Sequence, residues 1–391
     1  MITESMALSA LPPHGFVRSY CTYAVQQTTA PLAYHLGVAL ALLAVTTPVE
    51  YGVRFATNQR ANLFVMIAGR SGDDQKSTAL EIGREILFDA APQLIGDHPA
   101  SPEGMVDALG RQGTQLLVYK EAGNLLASTK SGYLEPLKTL LTDLADCSSQ
   151  QRAKSTKQGE QDVTRIDNPR LSVIGACALP FLERHTEPVD WTGGFLGRWA
   201  LIYAQRERRV AWPYGNTDGK APLVKALKMR AEHGKAGWCL GPDKPTMQRW
   251  REWFDDVDTR RLPRLVAGVR TRAPVVALKA ALLYAWDYGN VHDGEPWYMT
   301  ADVLEPGIAF AEIYLKSVVS LSANLASTPD ARMRRQILSV FHHGVPLSTG
   351  EIITATHLKK RTVSEMLESM TEEGVIRRLH VPAGGFAYIR A

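Results

Sequence analysis

Leu63-Phe64-Val65-Met66-Ile67-Ala68-Gly69-Arg70-Ser71-Gly72-Asp73-Asp74-Gln75-Lys76-Ser77-Thr78 is the stretch that decides the fold. The unbroken apolar run Leu63–Ala68 has the length and composition of a fully buried strand. A Gly/Ser loop follows, then Lys76-Ser77-Thr78, then helical spacing of apolar residues from Ala79 to Phe88. Strand, glycine loop, Lys-Ser and helix is the layout of a phosphate-binding loop. Backbone N–H groups and the helix N-terminus attract phosphate, the lysine reaches the terminal phosphates, and the hydroxyl after it holds magnesium. The expected cradle is Gly69, Ser71, Gly72, Lys76, Ser77 and Thr78, with Ser77 as the Mg2+ ligand.

The loop departs from G-x-x-x-x-G-K-[ST] in three ways. Gly69 precedes Lys76 by one residue more than that spacing allows, and Gln75 stands where the second glycine belongs. Asp73 and Asp74 add negative charge where phosphate would sit, which is unfavourable unless a cation intervenes. The plain alternative is a strand-turn-helix whose Ser or Asp caps the helix.

Around this stretch, 391 residues suffice for two or three domains with real cores. The net charge is +4, and its placement carries information. Residues 332–391 hold nine Lys/Arg against five Asp/Glu, so the whole surplus lies there and points to a polyanion partner. Cys21, Cys147, Cys177 and Cys239 are scattered without a CxxC pair, which argues against a zinc site or disulfide framework and fits a reducing cytoplasm. No secretory signal pattern opens the chain. Pro31–Val45 is apolar but short for a membrane span and contains His35 and Gly37, so a buried core helix is expected.

The chain reads as an α/β protein in four parts. Residues 1–60 form an N-terminal helical region ending in an extended piece near Val49–Phe55. Residues 61–215 alternate strands and helices, with strands at Leu63–Ala68, Gln115–Tyr119, Arg170–Cys177 and Arg198–Tyr203. Residues 148–168 are polar and read as a loop or hairpin, and 213–221 as a linker. Residues 222–326 are helical by pattern, for example Ala273–Trp286. Residues 332–391 show helices at Arg332–His342, Thr349–Thr356 (capped by Ser348) and Thr362–Glu373, then strands Val375–Val381 and Phe386–Arg390 flanking Gly384-Gly385. Three helices and a glycine-tipped hairpin make a winged helix-turn-helix.

Two further constellations carry chemistry. Gln115–Tyr119 ends in Lys120-Glu121, where a phosphate-loop NTPase places one carboxylate for magnesium and one to polarise water. Glu121 fits the second role, and Lys120 stands where the first is expected. Gly194-Phe195-Leu196-Gly197-Arg198-Trp199 delivers an arginine beside aromatics, as ring NTPases do for transition-state charge on a neighbouring subunit's phosphoryl group. Arg198 is the candidate. Arg206, Arg208 and Arg209 read as a solvated charge run.

These residues resemble the helicase-type ATPases of phage and mobile-element replication, often fused to a primase, over about Thr28 to Val319. The resemblance runs through Leu32–Val45, Asn62-Leu63, Gly69-Arg-Ser-Gly72 with Lys76-Ser-Thr78, Ala100–Leu109, Leu117–Gly123, Asn168–Ser172, Gly194–Trp199 and Arg272–Tyr284. It implies a superfamily 3-like RecA/AAA-like core, ATP and Mg2+, DNA as track, and a self-associating, hexameric ring. It assigns phosphate contacts to Gly72, Lys76 and Ser77, water activation to Glu121 and the trans-acting arginine to Arg198. A primase would be a separate protein.

In the tail, Lys359, Lys360 and Arg361 open the third helix, where a recognition helix meets the major groove, and Arg377 and Arg378 begin the wing. Glu368, Glu372 and Glu373 on the same helix oppose that reading. The expected function is an ATP-dependent DNA motor in replication of a mobile element or phage. Two others stay open: a non-hydrolysing DNA-binding regulator on a degenerate ATPase scaffold, and an ATP-dependent loader of a protein partner. The histidines show no metal-ligand spacing, and no membrane partner is expected.

Overall fold

The computed structural model describes residues 2–99, 101–129, 134–155, 161–192, 194–206, 218–289, 291, 293–325, 333, 336–341, 346–372, 375–380 and 386–390. Contacts divide the chain into two units, Met1–Ser322 and Ala323–Ala391. The strands of the first, in chain order, are β1 (Gly52–Phe55), β2 (Thr57–Arg60), β3 (Phe64–Gly69), β4 (Thr114–Tyr119), β5 (Gln150–Ser155), β6 (Gln161–Ile166), β7 (Arg170–Ala178), β8 (Trp199–Tyr203), β9 (Cys239–Pro242) and β10 (Trp297–Met299).

The first unit is an α/β structure around a four-stranded parallel sheet in the order β4-β7-β3-β8. All six residues of β3 are buried. A central parallel strand is covered on both faces, so it cannot alternate polar and apolar residues, and each of Phe64, Val65, Met66 and Ile67 contributes roughly 1.5–3 kcal/mol by leaving water. The strand order sets the geometry of any ligand site. From β3 the chain crosses over to β4, and β7 returns to lie between them. From β7 it crosses the other way, past β3, to β8. The connections therefore reverse between β3 and β7, and ligands of open parallel sheets bind at the carboxyl ends of the strands at such a reversal. The glycine loop after β3 lies there.

Helices cover the sheet. Leu32–Thr46 is buried at every residue after Leu32, which explains why its sequence is apolar all round. No helix among the described residues is long and apolar enough to cross a membrane. The buried guanidinium of Arg170, at the start of β7, donates to the carbonyls of Ala44 and Thr47 at 3.0 and 2.5 Å, and to Pro48. It thereby closes the carboxyl end of that helix, where a cation suits the helix dipole. Burial draws its pKa down to about 10.

The four sheet strands, the helix after the loop (Lys76–Ala90) and the helix Val269–Tyr288 lie where the sequence puts them, with ends shifted by a few residues. Within residues 148–168, β5 and β6 pair antiparallel, Gln150 with Ile166 through Ser155 with Gln161, and 156–160 lie outside the described residues. The expectation of purely helical structure over 222–326 is corrected. β9 and β10 join β1 and β2 in a second four-stranded sheet, order β10-β9-β1-β2. These strands are three or four residues long, and Gly241 and Pro242 lie in β9, so they carry no strand signal. The expected linker 213–221 is helical from Lys220, and 207–217 lies outside the described residues.

In the second unit Thr349–Thr356 and Lys360–Glu372 are helices, and β11 (Leu347–Ser348), β12 (Ile376–His380) and β13 (Phe386–Arg390) form an antiparallel sheet in the order β11-β13-β12. Ser348 and Glu351 make a full capping box. Ile337, Phe341, Ile352, Val363, Leu367, Met370, Ile376 and Tyr388 pack as its core. Of the expected first helix, Arg332–His342, residues 332, 334, 335 and 342 lie outside the described residues, and 333 and 336–339 are helical.

Candidate functional site

The loop 70–75 is shaped by groups the sequence separates widely. Asp74 lies under it with a fully buried side chain. Its carboxylate accepts from the Arg70 N–H at 2.7 Å, the Arg70 guanidinium at 3.0 Å and the Arg206 N–H at 3.2 Å. Burial opposes the charge, but those donors outweigh it and hold the carboxyl below its ordinary range. Asp73 instead points to solvent, 3.8 Å from Arg70. The expectation that both carboxylates crowd the phosphate space is therefore corrected, because Asp74 is spent inside the loop.

Gln75 occupies the left-handed region at φ 47°, where a glycine would sit without strain. Its Oε1 accepts from the Thr29 N–H at 3.0 Å and from the Thr28 hydroxyl, which fastens residues 28–29 to the loop and offsets the strain. Gly72 turns the loop at φ 75° with open space around it. Gly69 is required by close approach, since a Cβ there would meet the Tyr34 hydroxyl at 2.5 Å. That hydroxyl lies 2.7 Å from the Ala68 carbonyl and 2.6 Å from the Ala204 carbonyl, holding the ends of β3 and β8 together.

Lys76 begins the helix, and its Nζ donates to the Arg70 carbonyl at 2.6 Å. The side chain is mostly buried, and desolvation lowers its pKa against the pull of Asp74, Cys177, Glu121 and Asp73. No side chain among the described residues caps this helix, so the N–H groups of Lys76, Ser77 and Thr78 face outward from a positive helix end. Ser71 and Thr78 are exposed and Ser77 half-buried. The Ser77 hydroxyl donates to the Lys120 carbonyl at 3.4 Å, which ties the helix start to the end of β4.

Glu121 follows β4 at the same carboxyl edge and is exposed. The buried Cys177, on the intervening strand β7, feels the charges of both Lys76 and Glu121, and burial pushes its thiol up to about 12. Lys120 turns away to Glu81 on the loop helix, Nζ–Oε2 2.6 Å. Beside this edge opens a cleft of about 690 Å3 bounded by Lys120, Glu121, Asn124 and Arg84 and by the ring of His98 stacked 4.2 Å from Tyr119. No cluster of three or more acidic, histidine or cysteine ligands occurs among the described residues.

The structure thus brings Gly69, Ser71, Gly72, Lys76, Ser77, Thr78 and Glu121 to one edge. It does not bring Arg198 there. Arg198 precedes β8, and Trp199 pairs with Phe64 at the start of β3. It lies at the amino edge, about 16 Å along the strands from the loop at 3.3 Å per residue. There it donates to Asp146 at 2.6 and 2.9 Å and to the Gly194 carbonyl at 3.0 Å.

Reading the sequence alone misses Thr28, Thr29, Tyr34 and Arg206. The Arg206 backbone binds Asp74 and its guanidinium reaches the Thr29 hydroxyl at 3.4 Å, although its sequence context is a charge run. In the second unit Lys359, Lys360, Arg361, Arg377 and Arg378 are all exposed. The Arg378 guanidinium lies 4.3 Å over the Phe386 ring, and Arg361 is 3.1 Å from Glu365. No family model and no curated protein sequence matches the chain.

Proposed function

We propose that the chain is a phosphate-loop ATPase of the RecA/AAA-like type that works on DNA, with residues 332–391 as a winged helix-turn-helix. One observation carries the reading: the uncapped helix start at Lys76 and the Glu121 carboxylate lie at the carboxyl edge of one parallel sheet, at its connection reversal. On this reading ATP phosphates take the N–H groups of residues 76–78 and the Lys76 ammonium. Phosphate relieves Lys76 of the cost of its burial, because it supplies the counter-charge that the loop lacks once Asp74 is spent on Arg70 and Arg206. The Ser77 hydroxyl would hold magnesium, which when bound would supply neutralisation of developing phosphoryl charge. Glu121 orients the attacking water, and Arg198 serves a neighbouring subunit, since its own loop is out of reach.

A second reading, a DNA-binding regulator without turnover, is favoured by Lys120, which stands in the chain where a magnesium carboxylate is expected and is turned away into an ion pair with Glu81. The test is ATP hydrolysis by the full chain with and without single-stranded DNA, beside Lys76→Ala and Glu121→Gln. The motor reading expects DNA-stimulated turnover lost in both variants, with nucleotide binding lost in Lys76→Ala and kept in Glu121→Gln. Unchanged binding and turnover in Lys76→Ala sinks the site assignment. Nucleotide and DNA binding without turnover in the wild type selects the regulator.

A further inference from the structure

The second sheet, β10-β9-β1-β2, has one face toward the core and one toward solvent, and register decides which side chains share each. Val53 pairs with Cys239, and Cys239 with Trp297; Val53 and Cys239 are buried. Successive residues of a strand point to opposite faces. One residue on, Arg54, Leu240 and Tyr298 therefore stand together on the outer face. Arg54 pairs with Asn58 of β2, so a row Tyr298, Leu240, Arg54, Asn58 crosses all four strands. At about 4.8 Å per strand it spans about 14 Å. All four side chains are exposed, Leu240 by 53 % and Tyr298 by 56 %. Beside this row Trp238 lies against Gly52, where a Cβ would stand 3.1 Å from the indole. Gly52 pairs with Arg60, whose guanidinium sits 5.0 Å over the Trp238 ring and donates to the Glu50 carbonyl at 2.5 Å. The cation on this side is thus held in place. No Asp or Glu occurs in the four strands, and their only charges are Arg54 and Arg60. Among the described residues Arg54 has no ion pair.

We propose that this outer face binds single-stranded nucleic acid. Its chemistry asks for a polyanion that also carries flat apolar groups. A duplex hides its base faces in the stack, and an acidic peptide has no regular supply of rings. A single strand offers both: phosphates for arginines, and bases free to stack on an aromatic ring whatever their sequence. Tyr298 is the stacking platform, and Leu240 extends its apolar surface. Arg54 and Arg60 meet phosphates from the neighbouring strands, and the Asn58 amide hydrogen-bonds a base edge or a phosphate at the rim. The face lies within the first unit and needs neither nucleotide on the loop nor the basic tail, so it is separable from both readings above.

The experiment cross-links the full chain, without nucleotide, to oligothymidylate carrying 5-iodouracil, and maps the modified residues by mass spectrometry. Cross-links are expected at Tyr298 or Trp238, and Lys76→Ala is expected to give the same map. Titrations of oligothymidylate then rank the variants. Tyr298→Ala is expected to weaken binding about tenfold and Tyr298→Phe by less than about twofold, because the ring does the stacking. Arg54→Gln is expected to flatten the plot of log affinity against log salt by about 0.7, one phosphate contact on a single strand, and Arg54→Lys to leave the slope as it is. Oligouridylate in parallel tells RNA from DNA, and binding of either through these residues supports the proposal. The map on the wild type needs no variant, so it decides the matter even if Tyr298→Ala fails to fold. Cross-links confined to residues 332–391 or to the loop edge, or Tyr298→Ala and Arg54→Gln both equal to wild type, overturn the proposal and leave the tail and loop readings standing. Wild type that self-associates in sedimentation without nucleic acid and comes apart in Tyr298→Ala also overturns it, since a second copy then covers this face.

Discussion

Asp73 and Asp74 are adjacent and chemically identical, yet the fold gives them different work. Asp74 is buried and accepts from two backbone N–H groups and a guanidinium; Asp73 is exposed beside Arg70. Removing charge from Asp74 leaves buried donors without an anionic partner, whereas an exposed ion pair is worth little. Asp74→Asn is expected to lower stability by about 1–3 kcal/mol in urea unfolding and to weaken nucleotide binding, while Asp73→Asn changes stability by less than about 0.5 kcal/mol. Equal effects would mean that the loop is not built on Asp74. The sign with pH follows from its depressed pKa. Its contribution is present above the ordinary aspartate value and is lost as pH falls through the lower folded value. Nothing in the order Asp-Asp tells which carboxylate turns inward. That depends on Arg206, 132 residues away.

Among the elements, the helix Leu32–Thr46 links the loop to the rest of the first unit, and it buries a histidine. His35 has no hydrogen-bond partner among the described residues for either ring nitrogen and meets the Tyr20 ring edge-on at 6.4 Å. Burial lowers its pKa to about 3 from 6.5. Between those values the unfolded chain binds a proton that the folded chain refuses, so stability falls as pH falls through that window, by up to about 1.4 kcal/mol per unit. Urea unfolding at pH 6 and pH 5 is expected to show His35→Leu losing about 1 kcal/mol less than wild type over that step. Parallel loss would mean that His35 takes up its proton in the folded state. This helix and β3, β4, β7 and β8 are legible in the sequence because long apolar runs have no other stable use. β9 and β10 are not, since three or four residues gain strand character only from the neighbours they pair with. The site is half legible for the same reason. Lys76, Ser77 and Glu121 follow their strands directly, whereas Thr28, Tyr34 and Arg206 reach the loop only through the tertiary packing.

Across the whole molecule the charge is divided: residues 332–391 carry the entire surplus of +4, and residues 1–331 balance. Lys359, Lys360 and Arg361 of that tail lie at the start of the helix Lys360–Glu372 and Arg377 and Arg378 on β12, all five exposed. If they meet DNA phosphates, each contact releases counter-ions, and binding weakens with salt by a slope near 0.9 per phosphate contact. For the full chain on duplex DNA, Lys359→Ala with Lys360→Ala is expected to flatten the plot of log affinity against log salt by roughly two contacts' worth, about 1.8. Arg361 differs, because Glu365 at 3.1 Å already competes for it, with side chains 90 and 62 % exposed. Such a pair is weak and screened, so Glu365→Gln is expected to tighten binding two- to threefold at low salt and not at all at high salt, since about 0.5 kcal/mol is near the most an exposed helical pair supplies. Arg378 is held over Phe386, which fixes its guanidinium on β12 against the ring. Arg378→Lys therefore retains the charge, loses the flat contact with the ring, and is expected to weaken binding without changing the slope. A slope untouched by the double lysine variant would make these side chains solvated bystanders and leave the tail a protein-contact module.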